Sequence, residues 1–353
     1  MIKTFLHEDG TKNPEDLERR NFDEELREIM RWIYVIKVTL IAVGALSSLF
    51  VCFIMKKGSN ANEVLSYSNY FIFHLSLSDL FFRFVGILDI ALEHVNKSPL
   101  ICKTIVFFQF ACACCCFVLL AGISVDRHKS ICHPFARFKS KPRRFIVIIA
   151  VWLYAFILSS GFIYSATNGR FRRRLIPKRY HSGRNNTTNF GQRNRIIISS
   201  RQNCVAVPPN EKSELVFTIY FLFSFVVPLI TMAVMYTKVI LFLRQRSRSK
   251  LFNSRVAKCN FKAIFMLIVV FLSFLISWGP IMLVDILLAY NAYGRVGAKV
   301  FGIPLLPLAE TNTYTSSVFN SIIYAFGNSN FRNKAKQLLK KLNCSARNRI
   351  SNY

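Results

Sequence analysis

Residues 104–128 read TIVFFQFACACCCFVLLAGISVDRH: 22 residues without a charge, Thr104–Val125, closed by Asp126-Arg127-His128. A helix that crosses a bilayer needs about 20 mostly apolar residues, because each rises about 1.5 Å through a hydrocarbon layer about 30 Å thick. This stretch is long enough, and its charged end would stop at the headgroups. Outward from it, Phe145–Ala166, Leu215–Thr237 and Ala263–Val284 are also free of charge. Ile33–Met55 holds only Lys37, and Val300–Phe326 only Glu310. Tyr67–Glu93 is the weakest run, with Asp79, Arg83 and Asp89 inside it. Seven such runs with short gaps leave too little of 353 residues to cover them in water. The fold class is therefore an all-α membrane protein, a seven-transmembrane helix bundle. Its spans are expected at about 33–55, 67–93, 102–128, 145–166, 215–240, 260–285 and 300–326.

The segment 1–32 holds nine acidic and six basic side chains without an apolar core, so it does not read as a cleaved signal. Within it, Pro14–Arg31 has helical spacing and mixed charge, as expected of an exposed helix. Orientation should follow the Lys/Arg bias. With the N-terminus outside, inner segments hold 24 Lys/Arg and outer ones 21, of which 11 lie in the loop 167–214. Without that loop the balance favours an external N-terminus, and the sequons at Asn96, Asn185 and Asn186 then face the glycosylating side. Residues 327–353 become a cytoplasmic tail. In it, Phe331, Ala335, Leu338, Leu339 and Leu342 oppose Arg332, Lys334, Lys336 and Lys340, the pattern of a short helix lying in the membrane interface.

Ten cysteines fall into groups. Cys102, at the outer end of the third span, and Cys204, in the long outer loop, would be free to pair in an oxidising compartment. Cys112, Cys114, Cys115 and Cys116 read as small buried hydrophobes. Cys344 follows the basic stretch after the last span and is a palmitoylation candidate. The histidines and carboxylates form no nucleophile–base set, so no enzyme is indicated, and there is no internal repeat of the transporter kind.

Several polar residues inside the spans are costly there and are functional candidates by default. Asp79 sits in Leu75-Ser76-Leu77-Ser78-Asp79-Leu80; Asp126-Arg127-His128 is followed by Pro134 and Phe135. Trp152 lies in the fourth span, Pro228 and Tyr236 in the fifth, Phe274, Trp278 and Pro280 in the sixth, Asn320 and Tyr324 in the seventh. This ordered set, from about residue 33 to 344, resembles the rhodopsin-like (class A) G-protein-coupled receptors, with features of the neuropeptide receptor type. Cys102 stands 25 residues before Arg127, where that family places its disulfide cysteine. The chain departs from the pattern at Ser48 (usually Asn), His128 (usually Tyr), Ser277 (often Cys) and Ser321 (usually Pro). Without a proline at 321 the seventh helix is expected to be straighter than is typical.

The resemblance implies a plasma-membrane receptor whose external ligand favours a state open to a heterotrimeric G protein. Asp126 would hold Arg127 at rest; on opening, Arg127 would turn to the G protein, with Tyr236 and Tyr324 offering hydroxyls and Phe135 an apolar knob. The plainer role for Asp126 and Arg127 is to anchor the helix end at the headgroups. Asp79 would centre a sodium pocket with Ser48, Cys116, Ser316, Ser317 and Asn320. Arg83, one turn on, either substitutes for the ion as a fixed countercharge or points elsewhere.

The ligand would enter the outer half of the bundle. Gln109 lies five turns before Arg127 on the same inward face, near Ala113. Amine receptors that resemble this family carry an Asp at that place, so Gln109 argues against an amine. Opsins carry a retinal-linking Lys where this chain has Tyr314. Asp89, Glu93, Asp285 and Glu310 surround the same space; either they solvate the outer surface or they form an acidic pocket suited to a basic or amidated peptide. A peptide is the first expectation. A small molecule or lipid, or a seven-helix scavenger or scaffold that couples to no G protein, are the alternatives.

Overall fold

In a computed structural model of the full chain, the structure describes residues 14–57, 67–92, 98–133, 141–170, 202–208, 211–247, 254–290, 299–300, 303–327 and 331–338. Side chains are described over 24–56, 70–92, 98–133, 145–166, 206–208, 211–246, 265, 268–290, 305–323 and 331–338. Six helical segments are long and apolar enough to cross a membrane: Glu24–Lys56, Tyr70–Ala91, Pro99–Cys132, Phe145–Ser165, Glu211–Arg246 and Ile268–Ala289. A seventh crossing is made of two shorter helices, Leu305–Thr313 and Ser316–Gly327. The first helix begins at Pro14 and runs to Lys57. Its 44 residues reach about 66 Å, roughly twice the hydrocarbon thickness, so one end must stand clear of the membrane.

The third span is the hub. Its side chains from Phe110 to Phe117 are all buried, and it packs against the second, fourth and fifth spans. The ring closes as the sixth span meets the fifth and seventh, and the seventh meets the first. Ser98 caps the third helix, accepting the Ile101 N–H at 3.3 Å, and Pro99 follows at the first helical position, where no donor is needed. The four central cysteines occupy the tightest part of this hub as free thiols, each no more than 3% exposed. Small side chains there let neighbouring helices approach closely.

Prolines shape the fifth and sixth spans. In the fifth, Pro228 lacks an N–H, and the turn before it, Phe221–Val226, widens into a π-helix. The Tyr154 hydroxyl donates to the loosened Phe223 carbonyl at 2.9 Å. In the sixth, Pro280 lies inside Ser254–Ala289.

One expectation for the seventh span is corrected. Its helix starts at Leu305 rather than 300, since Lys299–Val300 and Ile303–Pro304 pair as antiparallel strands. The helix Ser316–Gly327 runs unbroken past Ser321, but the span is interrupted above it, at Tyr314-Thr315. There the backbone closes tight turns, with Tyr314 N–H to Thr311 carbonyl at 3.2 Å and Thr315 N–H to Asn312 carbonyl at 3.0 Å. The cause is local. The hydroxyls of Thr311, Thr313 and Thr315 all turn back onto backbone carbonyls, competing with the helical ladder where β-branching already weakens it. Residues 331–338 form a further helix whose Phe331 packs edge-on against Phe50 of the first span at 6.3 Å. Leu339 and Leu342 lie outside the described residues.

Candidate functional site

The outer half of the bundle gathers the acidic side chains singled out from sequence, though not all in the role expected. Asp285 lies two helical turns beyond Trp278 and is 7% exposed. Its carboxylate makes no hydrogen bond or ion pair among the described residues, and the charge it senses is that of Glu310. A buried carboxylate without a partner is costly, so a cation arriving there gains more than it would at the surface. Gln109, half-buried on the third span, has no hydrogen-bond partner among the described residues either. Ala113, one turn inward of Gln109, is buried. Glu310 is different: Lys37 of the first span reaches it at 3.6 Å. A cationic ligand at Glu310 would therefore have to compete with a cation the protein already supplies. Lys37 also lies 5.9 Å from the centre of the Tyr314 ring, and Asp89 is within electrostatic range of the same tyrosine. Glu93 falls outside the described residues.

Beneath these groups lies an aromatic floor in which Phe274, Trp278 and Tyr314, singled out from sequence, join Phe82 and Phe117, which were not. Trp278 meets Phe82 edge-on at 5.1 Å and Phe117 at 5.2 Å. Phe117 meets Phe274 at 4.7 Å, and Phe82 meets Tyr314 at 5.1 Å. Rings from the second, third, sixth and seventh spans are thus in contact, a rigid layer through which a shift in one span displaces the others.

The proline turn of the sixth span is tied to the break in the seventh. Pro280 cannot donate to the carbonyl four residues back, that of Ile276. Asn312 Nδ2 donates to that carbonyl at 2.7 Å and to the Ser277 carbonyl at 3.3 Å. The Ser277 and Thr315 hydroxyls meet at 2.8 Å. Asn312 and Thr315 were not singled out from sequence; Asn312 stands 36 residues from Ile276, so their meeting is visible only in space. Asn312→Ala should strand the Ile276 carbonyl and cost about 1–3 kcal/mol, measurable as a lower thermal midpoint of the detergent-purified chain.

Deeper in the bundle, the Asp79 carboxylate (3% exposed) accepts from Cys116 Sγ at 3.6 Å and from Asn320 Nδ2 at 3.5 Å. Arg83 is completely buried, yet it does not bond that carboxylate. Its guanidinium donates instead to the backbone carbonyl of Asp79 at 3.0 Å and to that of Tyr314 at 2.8 Å. Ser316 is also buried, while the buried hydroxyls of Ser48 and Ser317 have no hydrogen-bond partner among the described residues. The contacts the Asp79 carboxylate itself makes do not favour a sodium ion. Hard cations take oxygen ligands, whereas here the first contacts are a thiol and an amide N–H, and a guanidinium already stands within electrostatic reach of the carboxylate.

At the opposite end of the third span, Asp126, Arg127 and His128 are half-buried, Arg127 lies within electrostatic range of the buried Tyr236, and His128 packs against His133 at 5.8 Å. Pro134, Phe135 and the Tyr324 side chain are outside the described residues. So are Asn96, Asn185, Asn186, Cys344 and the side chain of Cys204. Cys102 is disulfide-bonded. The strand Gln202–Val205, which carries Cys204, pairs with Thr167–Arg170 and packs on the third span.

The profile of the family described as "7 transmembrane receptor (rhodopsin family)" matches residues 47–324. The chain belongs to this family. It is therefore a multi-pass membrane protein of a receptor family, not an enzyme. Among curated proteins, rat neuropeptide FF receptor 2 is 26% identical over 294 residues, covering 80% of this chain and 66% of that receptor. The rat pyroglutamylated RF-amide peptide receptor is 25% identical over 281 residues, 75% of this chain and 60% of that one. A Gq-coupled rhodopsin of Mizuhopecten yessoensis is 23% identical over 334 residues, 89% of this chain and 61% of that rhodopsin. The chain thus spans no more than two thirds of the length of each of these three relatives.

Proposed function

We propose that the chain is a plasma-membrane receptor, N-terminus outside, that binds a basic, C-terminally amidated peptide and activates a heterotrimeric G protein. The observation that carries this reading is Asp285: a carboxylate 7% exposed, above Trp278, with no partner among the described residues. An Arg or an amidated basic terminus would supply the missing charge and donors. Gln109, half-buried in the outer half of the third span, would offer the amide chemistry that a peptide terminus uses. The names of the relatives, neuropeptide FF and RF-amide peptide receptors, point the same way.

The rest of the mechanism follows from connected parts. A ligand drawing on Asp285 pulls on the sixth span, two turns above the aromatic floor. Asn312 and the Ser277–Thr315 contact pass that movement to the seventh span. At the inner end, Arg127 and Tyr236 supply the groups that meet the G protein, and the basic segment 244–262 offers complementary charge. A Cys102–Cys204 disulfide would hold the outer loop over the cavity, with sugars on Asn96, Asn185 and Asn186 marking the external face. The test is a panel of basic amidated peptides, RF-amide peptides among them, assayed for binding to cells that display the chain, each against its free-acid form. Saturable binding that is lost with the amide supports the reading. Binding that ignores both the amide and the basic residues overturns it.

A further inference from the structure

We propose that Arg83 is a built-in cation that stands in place of a sodium ion and clamps the second span to the break in the seventh. The inference extends the receptor reading, which gives the clamp its meaning as part of a switch. An arginine that is 0% exposed inside a membrane bundle needs a strong reason to be there. Its surroundings make room for it and take two of its nitrogens, while Nε finds no hydrogen-bond partner among the described residues. A Cβ at Gly44 of the first span would overlap the Arg83 guanidinium, so only glycine leaves that space. One nitrogen of the planar fork donates to the Asp79 carbonyl on its own helix, at 3.0 Å. The other donates to the Tyr314 carbonyl at 2.8 Å, in the turn where the seventh span changes from one helix to the next. The guanidinium thus bridges two backbone carbonyls of different spans while its charge offsets that of Asp79.

The same clamp joins the outer and inner halves of the site. Above it, the Tyr314 ring lies beside Lys37, which pairs with Glu310 at the rim. Below it, Asp79 holds Asn320 in the second half of the seventh span. A single sodium ion bound to the carboxylate would compensate charge but would not tie the Tyr314 carbonyl. Lysine would not serve equally, because it lacks the rigid fork that spans two acceptors.

The test needs no ligand and no G protein, so its failure is distinguishable from failure of the receptor reading. The thermal midpoint of the full-length chain in detergent is measured in sodium chloride and in choline chloride at equal ionic strength. The native chain should melt at the same temperature in both. Arg83→Leu should lower the midpoint by about 5 °C or more, and adding Asp79→Asn should recover much of the loss, since both buried charges then leave together. Gly44→Ala, which displaces the guanidinium without removing its charge, should destabilise the native chain but have little effect in the Arg83→Leu background. If Arg83→Leu does not fold alone, the Arg83→Leu, Asp79→Asn double variant, which holds neither charge, serves as the background for Gly44→Ala. A sodium-specific rise in the native midpoint would overturn the proposal, as would a Gly44→Ala effect of equal size in both backgrounds.

Discussion

Replacing Arg127 with alanine should reduce ligand-stimulated nucleotide exchange to the basal level while leaving peptide affinity, measured without G protein, within about threefold. Distance separates the two effects. Arg127 lies 18 residues from Gln109 along one helix, about 27 Å at about 1.5 Å per residue, so it touches no ligand in the outer cavity. It stands instead at the inner end of the third span, within electrostatic range of Tyr236. By linkage, what its loss removes is the coupling between peptide and G protein, which is typically about 1–3 kcal/mol and absent from binding when no G protein is present. The control is Arg127→Lys, which keeps the charge but not the planar donor set. Full exchange in Arg127→Ala would mean that Arg127 only anchors the helix end at the headgroups.

The second large effect is expected at Asp285. Truncating one partner of a buried charge pair typically costs about 2–5 kcal/mol, so Asp285→Asn should weaken binding of a basic amidated peptide by about 30-fold or more. The same substitution should leave the ligand-free protein as stable as before or more so, because it removes a buried carboxylate that has no partner among the described residues. The two readouts therefore move in opposite directions. A carboxylate that merely supported the fold would give a lower thermal midpoint with unchanged affinity, and that combination would refute its role as ligand anchor. Glu310 should behave differently. Glu310→Gln leaves Lys37 beside Tyr314 without its ion pair, and the loss there is structural as well as electrostatic.

How much of this was readable from sequence depended on whether the cause was local. The spans were legible because hydropathy over about 20 residues is a local property, and Thr104–Val125 alone met the length needed. Asp79 and Arg83 announced themselves as charges in the wrong solvent. Their geometry did not. The i,i+4 spacing left the guanidinium either beside the Asp79 carboxylate or turned elsewhere; the structure turns that carboxylate toward Cys116 and Asn320 and gives the guanidinium two backbone carbonyls. Helical side chains lean toward the N-terminal turn, which brings an arginine past the carbonyl of the residue four before it. The break in the seventh span lies apart from the absent proline at 321 and was not anticipated. The signal was there in Thr311, Thr313 and Thr315, whose hydroxyls compete with the ladder.

The Lys37–Glu310 pair had a readable signal as well. Each is the sole charge in its apolar run, and isolated charges in a bilayer tend to find one another. Sequence gave no sign of Phe82 and Phe117 as the floor beneath the cavity. Phenylalanine occurs 34 times in the chain, and which rings converge is decided by the packing of four separate helices. Gly44 was equally silent, since the need for glycine arises only where the Arg83 guanidinium presses against the first span.

The central claim, that the chain converts binding of an external peptide into G-protein activation, is tested most directly by nucleotide exchange. The full chain is reconstituted in lipid with purified G proteins of each class, and exchange is followed with and without the tightest-binding amidated peptide of the panel. The account predicts that the peptide accelerates exchange on at least one class, and that Arg127→Ala removes the acceleration. No acceleration on any class, by a chain shown to be folded and binding peptide, would contradict it and leave a seven-helix protein that captures ligand without signalling.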